Sequence, residues 1–165
     1  MVLPDYWLTR PSATDDEEAR TAFDALLDTT LGGSDCPTIR YTLPWPKWQF
    51  LCHVAEHRDI ALHGSGDADI ALFEPRQSID LNEFGNRKAV YAAADGIWPM
   101  FFAVVDRDRV DTVSNACVRL IDESGEVYGP YYVFSVSQSA LANRLGLSPA
   151  ATNLLGATVL RVRLL

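Results

Sequence analysis

Phe23, Leu26, Leu27 and Leu31, with Thr30 beside them, recur at three- and four-residue intervals and predict an amphipathic helix. Just upstream, Thr14-Asp15-Asp16-Glu17 is a capping-box pattern. In it a threonine oxygen takes a free backbone N–H and the glutamate reaches back. Gly32-Gly33 ends the run. The acids Glu17, Glu18, Asp24 and Asp28 fall mostly on the outer faces, as a solvated surface. Pro44-Trp45-Pro46 punctuates before a second helix over 46–57. On its helical wheel Trp48, Leu51, Cys52 and Ala55 share one side and form the expected core stripe.

Further along, the period shortens. Residues 59–63, ending in Ile60-Ala61-Leu62-His63, read as an apolar strand, and Val90 to Ala93 as another. Between them, 64–88 is mostly turn and loop, with a short helical turn near 67–72. Asp95 is placed to cap a helix from Gly96 to Val105, with Pro99 tolerated in its first turn. Val113 to Ile121 and Glu126 to Val136 flank the hairpin turn Asp122-Glu123-Ser124-Gly125, and Gly129-Pro130 marks a bend or a new strand start. Ser137 to Leu145 suits a short helix and Ala157 to Leu165 a closing strand. Residues 1–13, with two prolines and no periodicity, are expected to lie on the domain as an arm. Helices first, then a mostly antiparallel split sheet with one inserted helix, is an α+β arrangement in a single domain, 1–165.

Composition narrows the function classes. The chain has 165 residues, 48% hydrophobic and 22% charged, as expected of a folded domain. Its formal charge of −8 opposes binding to phosphate backbones, so no nucleic-acid partner is expected. Cys36, Cys52 and Cys117 are odd in number and widely spaced, which gives neither a disulfide framework nor a zinc ribbon. Residues 1–10 lack a signal-type apolar core, and Ile97 to Val105 is too short to span a bilayer. A reduced, cytoplasmic protein without a membrane partner is expected.

His53-Val54-Ala55-Glu56-His57 spells H-x-x-E-H, a pattern of inverted-motif zinc proteases. With Trp48 at zero, His53 and His57 lie at about 140° and 180° on the wheel, opposite the apolar stripe. Both should then face solvent, where a catalytic zinc lacks a dry cavity, and no metal site is expected.

The remaining constellation is Leu62-His63-Gly64-Ser65, then Phe84-Gly85-Asn86, then Ala89-Val90-Tyr91-Ala92-Ala93-Ala94-Asp95. By itself it reads as a strand-end histidine, a turn glycine and a core tyrosine. It also resembles the NAD-binding core of the ADP-ribosyltransferase superfamily, in the branch of poly(ADP-ribose) polymerases and diphtheria-type toxins, over roughly residues 49–136. The resemblance implies NAD as a substrate and a small-molecule nucleotide site. His63 would bond a ribose, the Gly64 backbone would pair with the nicotinamide carboxamide, Ser65 would complete the motif, and Tyr91 would stack on the ring. Trp98, Phe101 or Phe102 would supply a second aromatic wall.

The family's third residue, a glutamate opening a late strand, has no clear counterpart. Gly129 and Pro130 stand where it would fall, and Glu126 is the nearest acid. Losing such a group typically costs about 10²–10³ in rate. The chain is therefore expected to be an ADP-ribosyltransferase-like protein that transfers ADP-ribose, with a protein as acceptor, or cleaves nicotinamide from NAD through Glu126. The alternative is a non-catalytic binding module on the same fold. An RNA 2′-phosphotransferase, a more distant relative, would need more basic residues than this acidic chain supplies.

Overall fold

Helix α1 (Glu17–Leu31) is capped by Asp16, whose Oδ1 accepts the N–H groups of Glu18 at 3.0 Å and Ala19 at 3.4 Å. Thr14, the expected cap, instead accepts the Asp16 N–H. A carboxylate is the better cap because it also complements the positive end of the helix dipole. Its other oxygen takes the Trp45 indole N–H at 3.1 Å, tying the helix start to the loop before α2 (Lys47–His57). The computed structural model describes residues 3–33, 38–67, 70, 72–78, 83, 85–137 and 159–161.

Ala19, Phe23 and Leu27 on α1 are fully buried against Phe50 and Val54 on α2, together with Ile39 and Tyr41. Phe23 meets Phe50 edge to face at 5.7 Å, a geometry that favours aromatic pairs. Strand β2 (Thr38–Arg40) runs antiparallel to β7 (Val159–Arg161), the described part of the expected closing strand.

The core stripe read for α2 is corrected. Phe50, Cys52, His53, Val54 and Ala55 are buried, whereas Trp48 and Leu51 are half-buried. The helix is covered on two sides, by α1 and by the start of α3 (Ile97–Val104). A Cβ on Gly96, just before α3, would lie 2.7 Å from the Cys52 nitrogen, so the two backbones touch there. Apolar side chains span a little over half of the α2 wheel, from Phe50 through Val54 and Leu51 to Trp48 and Cys52, a band wider than the single stripe read from the sequence.

The N-terminal arm supplies β1 (Leu8–Thr9), which pairs with β6 (Val127–Val136), and β6 pairs with β5 (Val113–Ile121). All of these pairings are antiparallel, as are those of β3 (Arg76–Gln77) with β4 (Lys88–Ala89). The fold is α+β. The β5–β6 hairpin closes through Asp122, whose N–H donates to Glu126 O, and Gly125 there has φ 87°, a left-handed conformation that glycine adopts without a Cβ penalty. Gly129-Pro130 neither ends β6 nor starts a new strand. The strand passes through with Gly129 at φ 109°, beside a register irregularity at Val118/Leu120. Helix α3 lies on the sheet, with Phe101 stacked on Phe134 at 4.4 Å.

The strands expected at 59–63 and 90–93 reduce to one antiparallel bridge, Leu62 with Ala93. Phe84, the turn read at 67–72 and the helix read from 137 to 145 lie wholly or largely outside the described residues. No helix among the described residues is long and apolar enough to cross a membrane.

Candidate functional site

Leu62 and Ala93 exchange both backbone hydrogen bonds at 2.9 Å. In an antiparallel ladder the next such pairs would be Ile60 with Asp95 and Gly64 with Tyr91. Neither forms. On one side, Ile60 N–H turns back to Arg58 O, and Asp95 is committed to starting α3 through its Oδ1, which accepts from Ile97 N and Trp98 N. On the other, the Tyr91 carbonyl accepts from the His63 ring, at 2.6 Å from Nδ1.

That single contact organises the site. A carbonyl only accepts, so the proton resides on Nδ1, and a neutral His63 ring then presents Nε2 as an acceptor. His63 is exposed, with the Phe73 ring edge-on to it at 4.9 Å. With the Gly64–Tyr91 pair unformed, the N–H and C=O of half-buried Gly64 have no hydrogen-bond partner among the described residues.

Gly64 is held from behind. A Cβ there would lie 2.0 Å from the Pro99 carbonyl oxygen and 2.7 Å from its carbon, so only glycine lets α3 approach this closely. The reason read from the sequence, room for a ligand, is joined by one internal to the fold. The Ser65 hydroxyl accepts the Asp67 N–H at 3.1 Å.

Tyr91 is 36% exposed. Its phenol donates to Gly85 O at 2.6 Å and accepts the Arg87 N–H at 3.1 Å, so the ring is tethered to the turn before β4. His63, Gly64 and Tyr91 are thus brought together, and Phe73, which lies in a loop without periodicity, joins them unannounced by any sequence signal. Trp98, Phe101 and Phe102 go elsewhere: Phe101 and Trp98 pack on Phe134, and Phe102 lies under the Arg107 guanidinium at 5.0 Å. From α3 it is Pro99 that reaches the cluster.

Glu126 sits in the β5–β6 turn, where it accepts from the Tyr128 phenol at 2.9 Å. It lies six positions along β6 from Tyr132, roughly 20 Å at strand rise, and is not part of the His63 cluster. Asp95 follows the bridge two residues after Ala93. Its Oδ2 receives the Tyr132 phenol and its Oδ1 caps α3, so both oxygens are in use. Burial, then the Asp95 hydrogen bond, pushes the Tyr132 phenol well above its ordinary range.

The H-x-x-E-H histidines separate, which corrects the expectation that both face solvent. His57 is exposed, but His53 is 2% exposed. Its Nε2 lies 3.2 Å from Asp24 Oδ1 and its ring packs on Phe23 at 5.5 Å. The same Asp24 oxygen accepts from Arg58 at 3.0 Å, and Arg58 also reaches Asp28. The acids read as free surface on α1 are therefore partly spent on α2. No group of three or more His, Cys, Asp or Glu among the described residues is placed to hold a metal ion. Comparison with protein-family models, curated proteins and solved structures finds no match to this chain.

Proposed function

We propose that this chain is an ADP-ribosyltransferase-like protein that binds NAD by its nicotinamide head at His63, Gly64 and Tyr91, and acts as a binding module. The observation that carries this reading is the Gly64 backbone, whose N–H and C=O have no hydrogen-bond partner among the described residues. A carboxamide offers the matching acceptor and donor. The His63 Nε2 lone pair suits a ribose hydroxyl, which donates. The exposed part of the Tyr91 ring, held in place by its phenol, offers a flat surface to a flat ring.

The carboxylates favour binding over cleavage. Asp95 is occupied on both oxygens, and Glu126 lies on the hairpin turn. Neither of these two acids is placed to stabilise the positive charge that develops as nicotinamide leaves. Cys52 and Cys117 are free thiols, in keeping with a cytoplasmic setting.

Calorimetric titration with NAD and with nicotinamide tests this reading. Both should bind the natural chain, Tyr91→Ala should abolish binding without unfolding the protein, and nicotinamide should not accumulate on incubation with NAD. Absence of binding sinks the proposal. Nicotinamide release that disappears in Glu126→Gln would instead make the protein a transferase or glycohydrolase, with a protein acceptor in the first case.

A further inference from the structure

Strand β5 is an edge. Its sheet runs β1–β6–β5, and among the described residues no strand pairs with the outer side of β5. Thr112 O accepts from Ser137 N–H at the open end of the hairpin, and Glu126 O accepts from Asp122 N–H at its turn. Bonding residues alternate along an antiparallel ladder, so the even-numbered residues of β5 face β6. The N–H and C=O groups of Val113, Asn115, Cys117, Arg119 and Ile121 therefore point away from it.

Natural sheets protect long edges with proline, lysine, a bulge or an inward charge. Val113–Ile121, 9 residues long, contains no proline and no lysine, and its only charge is Arg119. The register irregularity opposite Arg119 puts the extra residue in β6, at Gly129-Pro130, so β5 itself stays regular. Cys117, Arg119 and Ile121 are exposed, Ile121 to 71%.

The strand also complements itself. About a two-fold axis at Cys117, its middle residue, an antiparallel copy engages the whole of β5. Val113 then faces Ile121 of the second copy, Asn115 faces Arg119, and Cys117 faces its own equivalent. On the opposite face of the sheet Ala116 meets Val118. The guanidinium thus meets an amide oxygen rather than another guanidinium, and Ile121 gains an apolar cover. The outward pairs exchange about ten hydrogen bonds, as many as a typical protein interface carries. Each copy has a net charge of −8, but β5 holds no acid. Repulsion between the remaining surfaces is screened beyond about 8 Å at physiological salt.

We infer that β5 pairs with β5 of a second copy of this chain, joining two sheets into one across a two-fold axis. Sedimentation at physiological salt, over concentrations up to about 100 μM, should show a monomer–dimer equilibrium. Cys117→Lys sets like charges face to face on the axis and should weaken the dimer about tenfold or more. Val127→Lys, on the inner strand β6 and 56% exposed in the natural chain, should leave it unchanged. In a Cys36→Ser background a short bismaleimide should link the two Cys117 thiols, whose Cα atoms would lie about 5.5 Å apart. Cys117→Ser should abolish that link. The crosslink reads the natural edge, so it decides the matter even where Cys117→Lys fails to fold. A chain that stays monomeric throughout overturns the pairing and leaves the edge to an extended segment of another protein. A dimer that resists Cys117→Lys, or that does not crosslink at Cys117, has its interface elsewhere and overturns it as well.

Discussion

The phenol of Tyr132, on β6, donates to Asp95 Oδ2 while Oδ1 of the same carboxylate caps α3, so one side chain locks the sheet to the helix that backs Gly64. Tyr132 is 1% exposed. A hydrogen bond to a charged group is worth about 1.5–3 kcal/mol, and Tyr132→Phe should destabilise by that order in urea unfolding. Asp95→Ala should cost more, since it also removes the cap. A double-mutant cycle should return a clear coupling between the two positions.

The same tyrosine gives a signature at alkaline pH. Burial first, then Asp95, raises its folded-state pKa above the ordinary value of 10.0, so the fold favours the neutral phenol. That stabilisation is fully present below about pH 10 and is lost progressively as the pH rises beyond it. Burial likewise raises Tyr41 to about 12, with its phenol on Trp45 O. Stability of the natural chain should fall above pH 10, less steeply in Tyr132→Phe, and less steeply still when Tyr41→Phe is added. Identical profiles in all three would refute the assignment.

Much of this frame was readable because its signals are local. The period of Phe23 and Leu27, the glycines after Leu31, the Asp95 cap and the Asp122–Gly125 turn each act within a few residues. That His63 and Tyr91 should share a site followed from the family resemblance, not from the two apolar runs themselves. What escaped depends on distant partners. The strands at 59–63 and 90–93 stop at one bridge, with Ile60 turned back to Arg58 and Asp95 drawn to α3 on one side and His63 on the Tyr91 carbonyl on the other. His53 is buried because Phe23 and Asp24 on another helix receive it, which no wheel drawn for α2 alone reveals. Phe73 reaches His63 from a loop, where nothing periodic marks it.

Asp24 should make the α1–α2 contact sensitive to acid. Burial alone would raise its pKa, but hydrogen bonds from Arg58 and His53 and their charges outweigh it and hold the carboxyl below its ordinary value of 3.8. A lowered folded-state pKa contributes stability above about pH 4, and this is lost as the pH falls through the folded value. The carboxylate is 42% exposed, so the effect is screened and should shrink with added salt. Thermal melts from pH 5 to 2 should show a steeper loss for the natural chain than for Asp24→Asn. Parallel curves would show that the contact carries no linkage.

Cys52 should be chemically silent in the native protein. Burial, followed by the charges of Glu56 and Asp95, raises its thiol to about 11, and its residue is 1% exposed. The thiolate is the reactive form, so alkylation at pH 8 is opposed by both protonation and access. With Cys36→Ser and Cys117→Ser in place, iodoacetamide should label the chain only in denaturant. Rapid native labelling would mean that the contact between α2 and the start of α3 opens readily.

Gly64→Ala separates the two reasons for having glycine at the strand end. An added methyl would meet Pro99 backbone atoms at 2.0 and 2.7 Å, and backbone cannot swing aside as a flexible side chain can. Either α3 or the 62–64 segment must move, at a cost of about 1–3 kcal/mol typical of overpacking. Ser65→Ala removes only an acceptor in an exposed turn and should cost well under that. Because His63 is fixed by one bond to the Tyr91 carbonyl, movement of Gly64 should also disturb its ring. The observable is the His63 imidazole resonance, which should shift in Gly64→Ala and stay in place in Ser65→Ala. If Gly64→Ala keeps both its stability and that resonance, Pro99 does not press on the strand end, and the glycine is reserved for a ligand alone.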